Sequence, residues 1–195
     1  MSQTADPLYA SPAERVRWTT ADLGLFPENG NRYEIVDGEL FVTKAPNWKH
    51  QKACTRICTA LDAWSQETGL GEAVQAPGII FADEDNVIPD VVWASKQSLD
   101  SLLDSSGHLT AAPELIVEVL SPGSDNERRD RELKLKLYSV RGVQEYWIID
   151  WRKQSIEVYR RNSAYLQLAC TLLPGDTLNS DLLPEFNCAI SQLFT

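Results

Sequence analysis

The hydrophobic and polar positions of this chain switch period several times, and each switch marks an element. Arg32 to Val36 and Glu39 to Thr43 flank Asp37-Gly38, the dipeptide that supplies the positive backbone angles of a two-residue hairpin turn. From Trp48 to about Thr68, Ala53, Ile57, Ala60, Leu61 and Trp64 recur at three- and four-residue intervals and stop before Gly69, which predicts an amphipathic helix. Strands are predicted at about Ala73 to Phe81, Val87 to Ala94 and Glu114 to Leu120, with room for one helical turn in the loop from Ser98 to Ala112. A second helix is predicted within Ser121 to Gly142, capped by Ser124 or Asp125, with Leu133, Leu137 and Val140 as its apolar stripe. The dense β-former run Glu145 to Asp150 follows, then Ile156 to Arg160 and Tyr165 to Leu172, and a short, partly helical tail from Thr177 to Phe194. Residues 1–17 read as a loose arm, and Thr19 or Thr20 as the cap of a short helix toward Leu25; residues 18–195 read as one domain.

Composition adds limits. At 195 residues and 43% hydrophobic content the chain can bury a sizeable core. No apolar run approaches the roughly 18 residues that span a bilayer, and Met1 to Pro12 lacks the basic-then-apolar order of a signal peptide, so a soluble cytoplasmic protein is expected. Cys54, Cys58, Cys170 and Cys188 form no Cys-x-x-Cys pair, which suits a reducing compartment; Cys54 and Cys58 share a helix face, but two ligands do not make a zinc site. A net charge of −10 repels a polyanion at long range, so any nucleic-acid contact must be local. Arg128, Arg129, Arg131, Lys134 and Lys136 form the candidate patch, with Arg141, Arg152, Lys153, Arg160 and Arg161 further on; alone, such charges also fit a solvated surface.

Candidate chemistry starts from two acids in apolar surroundings. Asp90 opens the run Asp90-Val91-Val92-Trp93, and Glu118 stands within Ile116-Val117-Glu118-Val119-Leu120. A lone ionised carboxylate in a buried strand is costly, so it points to a partner such as a metal ion. Asp130, Lys134 and Tyr138 recur at four-residue spacing and set a carboxylate, an ammonium and a phenol along one helix stripe. Two acids and a lysine are the kit of a metal-dependent phosphodiesterase. Taken alone, Asp130 and Lys134 also fit an exposed ion pair worth a few tenths of a kcal/mol, Glu34 an exposed hairpin residue, His50 a surface residue at a helix start and Tyr138 a core residue.

Five motifs in order give the chain a family resemblance: Tyr33-Glu34-Ile35-Val36-Asp37-Gly38-Glu39-Leu40, Pro89-Asp90-Val91-Val92, Glu118-Val119-Leu120-Ser121-Pro122, Asp130-x-x-x-Lys134-x-x-x-Tyr138, and Gly142 through Asp150. Together they resemble the Uma-two family within the PD-(D/E)XK nuclease superfamily, from about Trp18 to Arg161. The resemblance implies an α/β (α+β) fold with a restriction-endonuclease-like core, a central mixed β-sheet flanked by helices, and Asp90 and Glu118 on neighbouring strands. One departure matters: the Glu-x-Lys tripeptide is here Glu118-Val119-Leu120, with leucine in the lysine's place. The resemblance suggests that Lys134, on the following helix, reaches back to supply the ammonium, since a lysine stem extends past apolar neighbours while its head stays polar. Lys136 points roughly 200° around the helix and is a poorer candidate.

On this reading Asp90, Glu118 and the Val119 carbonyl hold Mg²⁺, with Mn²⁺ as a possible substitute. Lys134 stabilises the charged transition state or helps deprotonate water, Glu34 binds a second metal or orients water, and Asp130, Tyr138 and His50 support the site. DNA is the expected partner, cut by a homodimer. Two other classes stay open: an inactive binding or regulatory module on a nuclease fold, and a structural protein whose carboxylates form surface networks.

Overall fold

The structure, a computed structural model, describes residues 16–195; the arm expected over 1–17 lies outside these, apart from its last two residues. Asp37 and Gly38 take φ of 50° and 71°, the left-handed pair of a tight hairpin, and close β1 (Arg32–Val36) onto β2 (Glu39–Thr43). The long helix α1 (Trp48–Thr68) begins where the Asn47 side chain accepts from the Lys49 N–H and ends where Gly69 takes φ of 68°.

Two expected strands are divided. The Ala73–Phe81 run becomes β3 (Gly71–Gln75) and β4 (Ile79–Ala82), separated by Ala76 at φ 53° and by Pro77-Gly78. The Val87–Ala94 run becomes β5 (Asp85–Val87) and β6 (Val91–Ser95). Pro89 has no N–H for a ladder and restricts Ile88, so pairing stops there and the chain crosses from one sheet to another. Asp90 stands at that crossing.

After β6 come α2 (Lys96–Leu102), β7 (Leu115–Val119), a helix in three parts, and the strands β8 (Glu145–Asp150), β9 (Ser155–Asn162) and β10 (Tyr165–Leu172). The tail is more strand than helix: β11 (Thr177–Asn179) pairs with β12 (Asn187–Ala189) before a 3₁₀ turn at Ile190–Leu193. The main sheet has six strands in the order β10-β9-β8-β7-β6-β3, with β7 and β8 parallel and the other neighbours antiparallel. A second sheet, β2-β1-β5-β4, is antiparallel.

Strand alternation sorts β7 onto two cores. Leu115, Val117 and Val119 pack with Ala53, Ile57 and Leu61 of α1 and with Leu183 and Phe186 of the tail. Ile116 and Leu120 pack on the other face with Leu137, Tyr138, Tyr146 and Ile148. Glu118 falls in this second row, where a leucine or isoleucine would be worth about 1.5–3 kcal/mol on burial. Something other than packing accounts for a carboxylate there. Among the described residues no helix is long and apolar enough to cross a membrane.

Candidate active site

Side chains two apart on β1 share a face, so Arg32 and Glu34 both turn into a cleft of about 130 Å³. Asp90 enters it from the crossing before β6, and Glu118 and Val119 from the end of β7. Strand pairing puts β6 beside β7, with Val91 opposite Val117.

The helix expected over Ser121 to Gly142 starts at Ser124 and is not uniform: α3 (Ser124–Arg128), a π-helical segment (Arg129–Lys134) and α4 (Leu135–Arg141) follow one another. In a plain α-helix each four-residue step drifts about 40° around the axis. The wider π turn takes more residues per revolution and offsets that drift, so Asp130, Lys134 and Tyr138 keep one heading. The Tyr146 hydroxyl donates to the Asp130 carbonyl inside this wide turn at 3.0 Å. Its contacts leave the surface-pair reading of Lys134 without support, since Lys134 is 1% exposed. The ammonium donates to Glu34 Oε1 and Glu118 Oε1, each at 2.8 Å, and lies 4.0 Å from Asp130 Oδ1. The Tyr138 hydroxyl donates to the same Glu118 Oε1 at 3.0 Å. Lys136, by contrast, is exposed on the other side of the helix.

Asp90 is held by a different set. Arg32 Nη1 reaches Oδ1 at 3.0 Å, His50 Nε2 lies 3.3 Å from Oδ2, and the Val119 N–H donates to Oδ2 at 2.9 Å. Burial disfavours ionisation of Asp90, yet the bonds and charges of His50 and Arg32 outweigh it and hold the pKa down at about 2. The reverse holds for Glu118. Burial, with Asp90, Asp130 and Glu34 nearby, overcomes the pull of Lys134 and pushes its pKa up to about 8. Glu34 is held below its usual range despite its burial, by Lys134 and Arg129. Lys134 resists burial through the same carboxylates, which raise its pKa and keep it an ammonium. One lysine facing three buried acids thus holds only Glu34 below its usual range, while burial raises Asp130 and, to about 8, Glu118.

Two donor sets could hold a metal ion. Asp90 and Glu118 with the Val119 carbonyl, which faces His50, are all oxygen and suit a hard cation such as Mg²⁺. His50, Cys54 and Asp90 have ligand atoms within 4.8 Å of one another. The Cys54 thiol, however, is pushed strongly up by burial and by the charges of Asp90 and Glu118, so it resists becoming the thiolate that a soft site needs. The oxygen set fits better.

All eight residues singled out in the sequence, Glu34, His50, Asp90, Glu118, Val119, Asp130, Lys134 and Tyr138, come together in or directly behind this one cleft. Sequence reasoning missed Arg32, whose place two residues before Glu34 on an alternating strand was the available signal. It counted Arg129 only as surface charge; in fact Arg129 is buried, bonding Asp130 Oδ1 at 3.1 Å and Thr43 Oγ1 at 3.0 Å and approaching Glu34 Oε2 at 3.9 Å. Cys54, read as core, is core and also touches His50 Nδ1 at 3.5 Å.

A mixed sheet flanked by helices, with acids and a lysine converging at the end of neighbouring strands, is a nuclease-like fold. The chain matches the model of the Uma2 family, described as "Putative restriction endonuclease", over residues 20–191, and it belongs to that family. Among solved structures it is similar to a chain from Anabaena variabilis ATCC 29413, described as "a putative nuclease belonging to DUF820", with a TM-score of 0.71 and 18% identity, covering 90% of this chain and 97% of that one. At that identity the likeness speaks to fold. No curated protein matches the chain.

Proposed function

We propose that this protein is a divalent-metal-dependent endonuclease that hydrolyses phosphodiester bonds in DNA, with Mg²⁺ as its ion. The observation that carries the reading is the Lys134 ammonium 2.8 Å from Glu118 Oε1, arriving from the helix while Leu120, two residues after Glu118, stays buried in the core. Asp90, Glu118 and the Val119 carbonyl are the proposed ligands. When bound there, the cation supplies charge neutralisation at the scissile phosphate and a more acidic water.

The chain's own groups divide the remaining work. Lys134 keeps its proton, which favours donation to a phosphate oxygen over removal of a proton from water. Tyr138 and Lys134 both hold Glu118 Oε1, which fixes the direction of that carboxylate. Arg129 and Asp130 brace the Glu34–Lys134 pair from behind. Arg32 and His50 hold Asp90 ionised, and Asp90 in turn raises the pKa of His50 against its burial, so that the two keep each other charged. We take a twofold pair of chains as the unit that cuts a duplex.

One observation favours a second reading, a binding module without chemistry: Arg32 and His50 already engage both oxygens of Asp90. The two readings part in one experiment. Supercoiled plasmid and labelled duplexes are incubated with the protein in Mg²⁺, Mn²⁺ or EDTA, and ion binding is followed by calorimetry in wild type, Asp90→Asn and Glu118→Gln. Metal-dependent cleavage that falls about 100-fold or more in both variants, with loss of ion binding, supports the nuclease. Unchanged ion affinity in both folded variants rejects the metal site, and absence of cleavage across substrates favours the binding module.

A further inference from the structure

Between Glu39 and Asp62 the chain has no acidic residue, yet Lys44, Lys49, Lys52 and Arg56 fall there, in a protein of net charge −10. Helical spacing turns this acid-free run into a surface. His50, Ala53, Cys54, Ile57 and Leu61 form the buried stripe of α1, and Trp48, Gln51, Lys52 and Thr55 lie on the opposite side of the same helix. With Arg56 they line a groove of about 400 Å³.

Three features separate this face from an ordinary solvated one. Trp48 is 82% exposed, a large flat ring left outside either core. The cations are positioned: the Lys49 ammonium lies 6.0 Å from the Trp151 ring centre, and Arg56 Nη1 donates to the Gln192 carbonyl and to Thr195 Oγ1, the latter at 3.1 Å. The groove is also continuous with the candidate site, because Gln51 lines both, while Lys44 stands on the cleft's rim.

We propose that this face of α1 is the track on which a DNA strand enters the cleft, with its phosphates along Lys49, Lys52 and Arg56 and one unstacked base on the indole of Trp48. The proposal rests on reading the cleft as a nuclease site and extends it to how substrate is held. An overall negative protein meets a polyanion only where its charge is locally inverted, and this run is such a place. An exposed indole offers its π-face to any base, but only to one that has left its own stack. The track therefore favours single strands and frayed or looped ends over closed duplex.

The test measures anisotropy of fluorescein-labelled single-stranded and duplex DNA with the full chain in EDTA, where metal-dependent cutting is off. Trp48→Ala is expected to weaken single-strand binding about tenfold, the scale of one base stacked on an aromatic ring, and Trp48→Phe to restore most of it. The triple change Lys49→Gln, Lys52→Gln and Arg56→Gln is expected to weaken binding about 100-fold at low salt and to lower the salt slope by about 2. Lys96→Gln, an exposed lysine on α2 beside Gly69 at the far end of α1, is the matched control and is expected to change nothing. Circular dichroism checks that each variant folds. Cleavage is read in parallel with Mg²⁺ or Mn²⁺ in place of EDTA: binding that follows this pattern, with no cleavage in either metal, supports the track and rejects the nuclease reading. Cleavage by wild type with unchanged binding in Trp48→Ala and in the triple variant overturns the track and leaves the nuclease reading intact. Failure of the wild type to bind either DNA at low salt also overturns the track.

Discussion

Replacing Lys134 with methionine keeps an unbranched chain of similar length and removes only the ammonium. Its head lies 2.8 Å from an oxygen of each of two buried glutamates. At an effective dielectric of about 20, the contact with Glu34, the ionised partner at neutral pH, is worth roughly 6 kcal/mol of Coulomb attraction before desolvation is charged against it. Burial of all three groups takes back most of that, and breaking a buried pair typically costs about 3–5 kcal/mol because the orphaned charge stays behind. Glu118 adds little to this loss, because with a pKa of about 8 it is already largely protonated at neutral pH. Glu34, held ionised by Lys134, bears the rest. A net loss near the lower limit, about 3 kcal/mol, follows for Lys134→Met at neutral pH. For a chain of this size it corresponds to a fall in Tm of about 6–12 °C. The variant therefore stays folded at 20 °C, and its cleavage can be read there in saturating metal. If the ammonium stabilises the transition state, turnover falls by about 100-fold or more, while Lys136→Met leaves stability and turnover unchanged. A folded Lys134→Met protein that cuts within threefold of wild type would refute the mechanism, and one with wild-type Tm would refute the electrostatic account.

Two further outcomes follow. Glu118 has a folded pKa of about 8 against an ordinary 4.5, so its contribution to stability is full below the ordinary value and is lost as pH climbs through 8; the stability advantage of Glu118→Gln in EDTA should widen from about pH 5 to pH 9, and a flat difference in urea titrations counts against the raised pKa. Light scattering should give a mass near twice 21.9 kDa at micromolar concentration, and a monomer mass throughout removes the paired-site model of duplex cutting.

Much of this architecture is written in local pattern. The Asp37-Gly38 turn, the stripe of α1 and the β-former run of β8 depend on neighbours in sequence, and periodicity reports them. The broken strands do not: Val87 to Ala94 reads as one run because its apolar content is continuous, and only Pro89 hints that the chain changes sheets there. The π-helical segment has no periodic signature either, since one wide turn within Arg129–Lys134 leaves the surrounding apolar spacing nearly unchanged. Among site residues, Asp90 and Glu118 announced themselves as charge in apolar runs. Arg32 and Arg129 did not, because an arginine at a strand or helix start looks like solvated charge until its distant carboxylate, Asp90 or Glu34, is known. Lys134 was legible only through family resemblance, since its own spacing equally describes a surface pair.

The partners that meet at the cleft come from far apart along the chain: Lys134 and Glu34 are separated by 100 positions, Arg32 and Asp90 by 58, Val119 and Asp90 by 29. Apart from Asp130, held by Arg129 and Lys134 of its own helix, the acids of the cleft meet their cations only across the fold. The constellation exists only after both sheets and the three-part helix have docked, and such long-range closure comes late in folding. On the proposed nuclease reading, a chain still emerging from synthesis is thus chemically inert toward the nucleic acid around it. The same dependence makes loss of the site abrupt on warming, because undocking any one of the three bodies dismantles all of it at once.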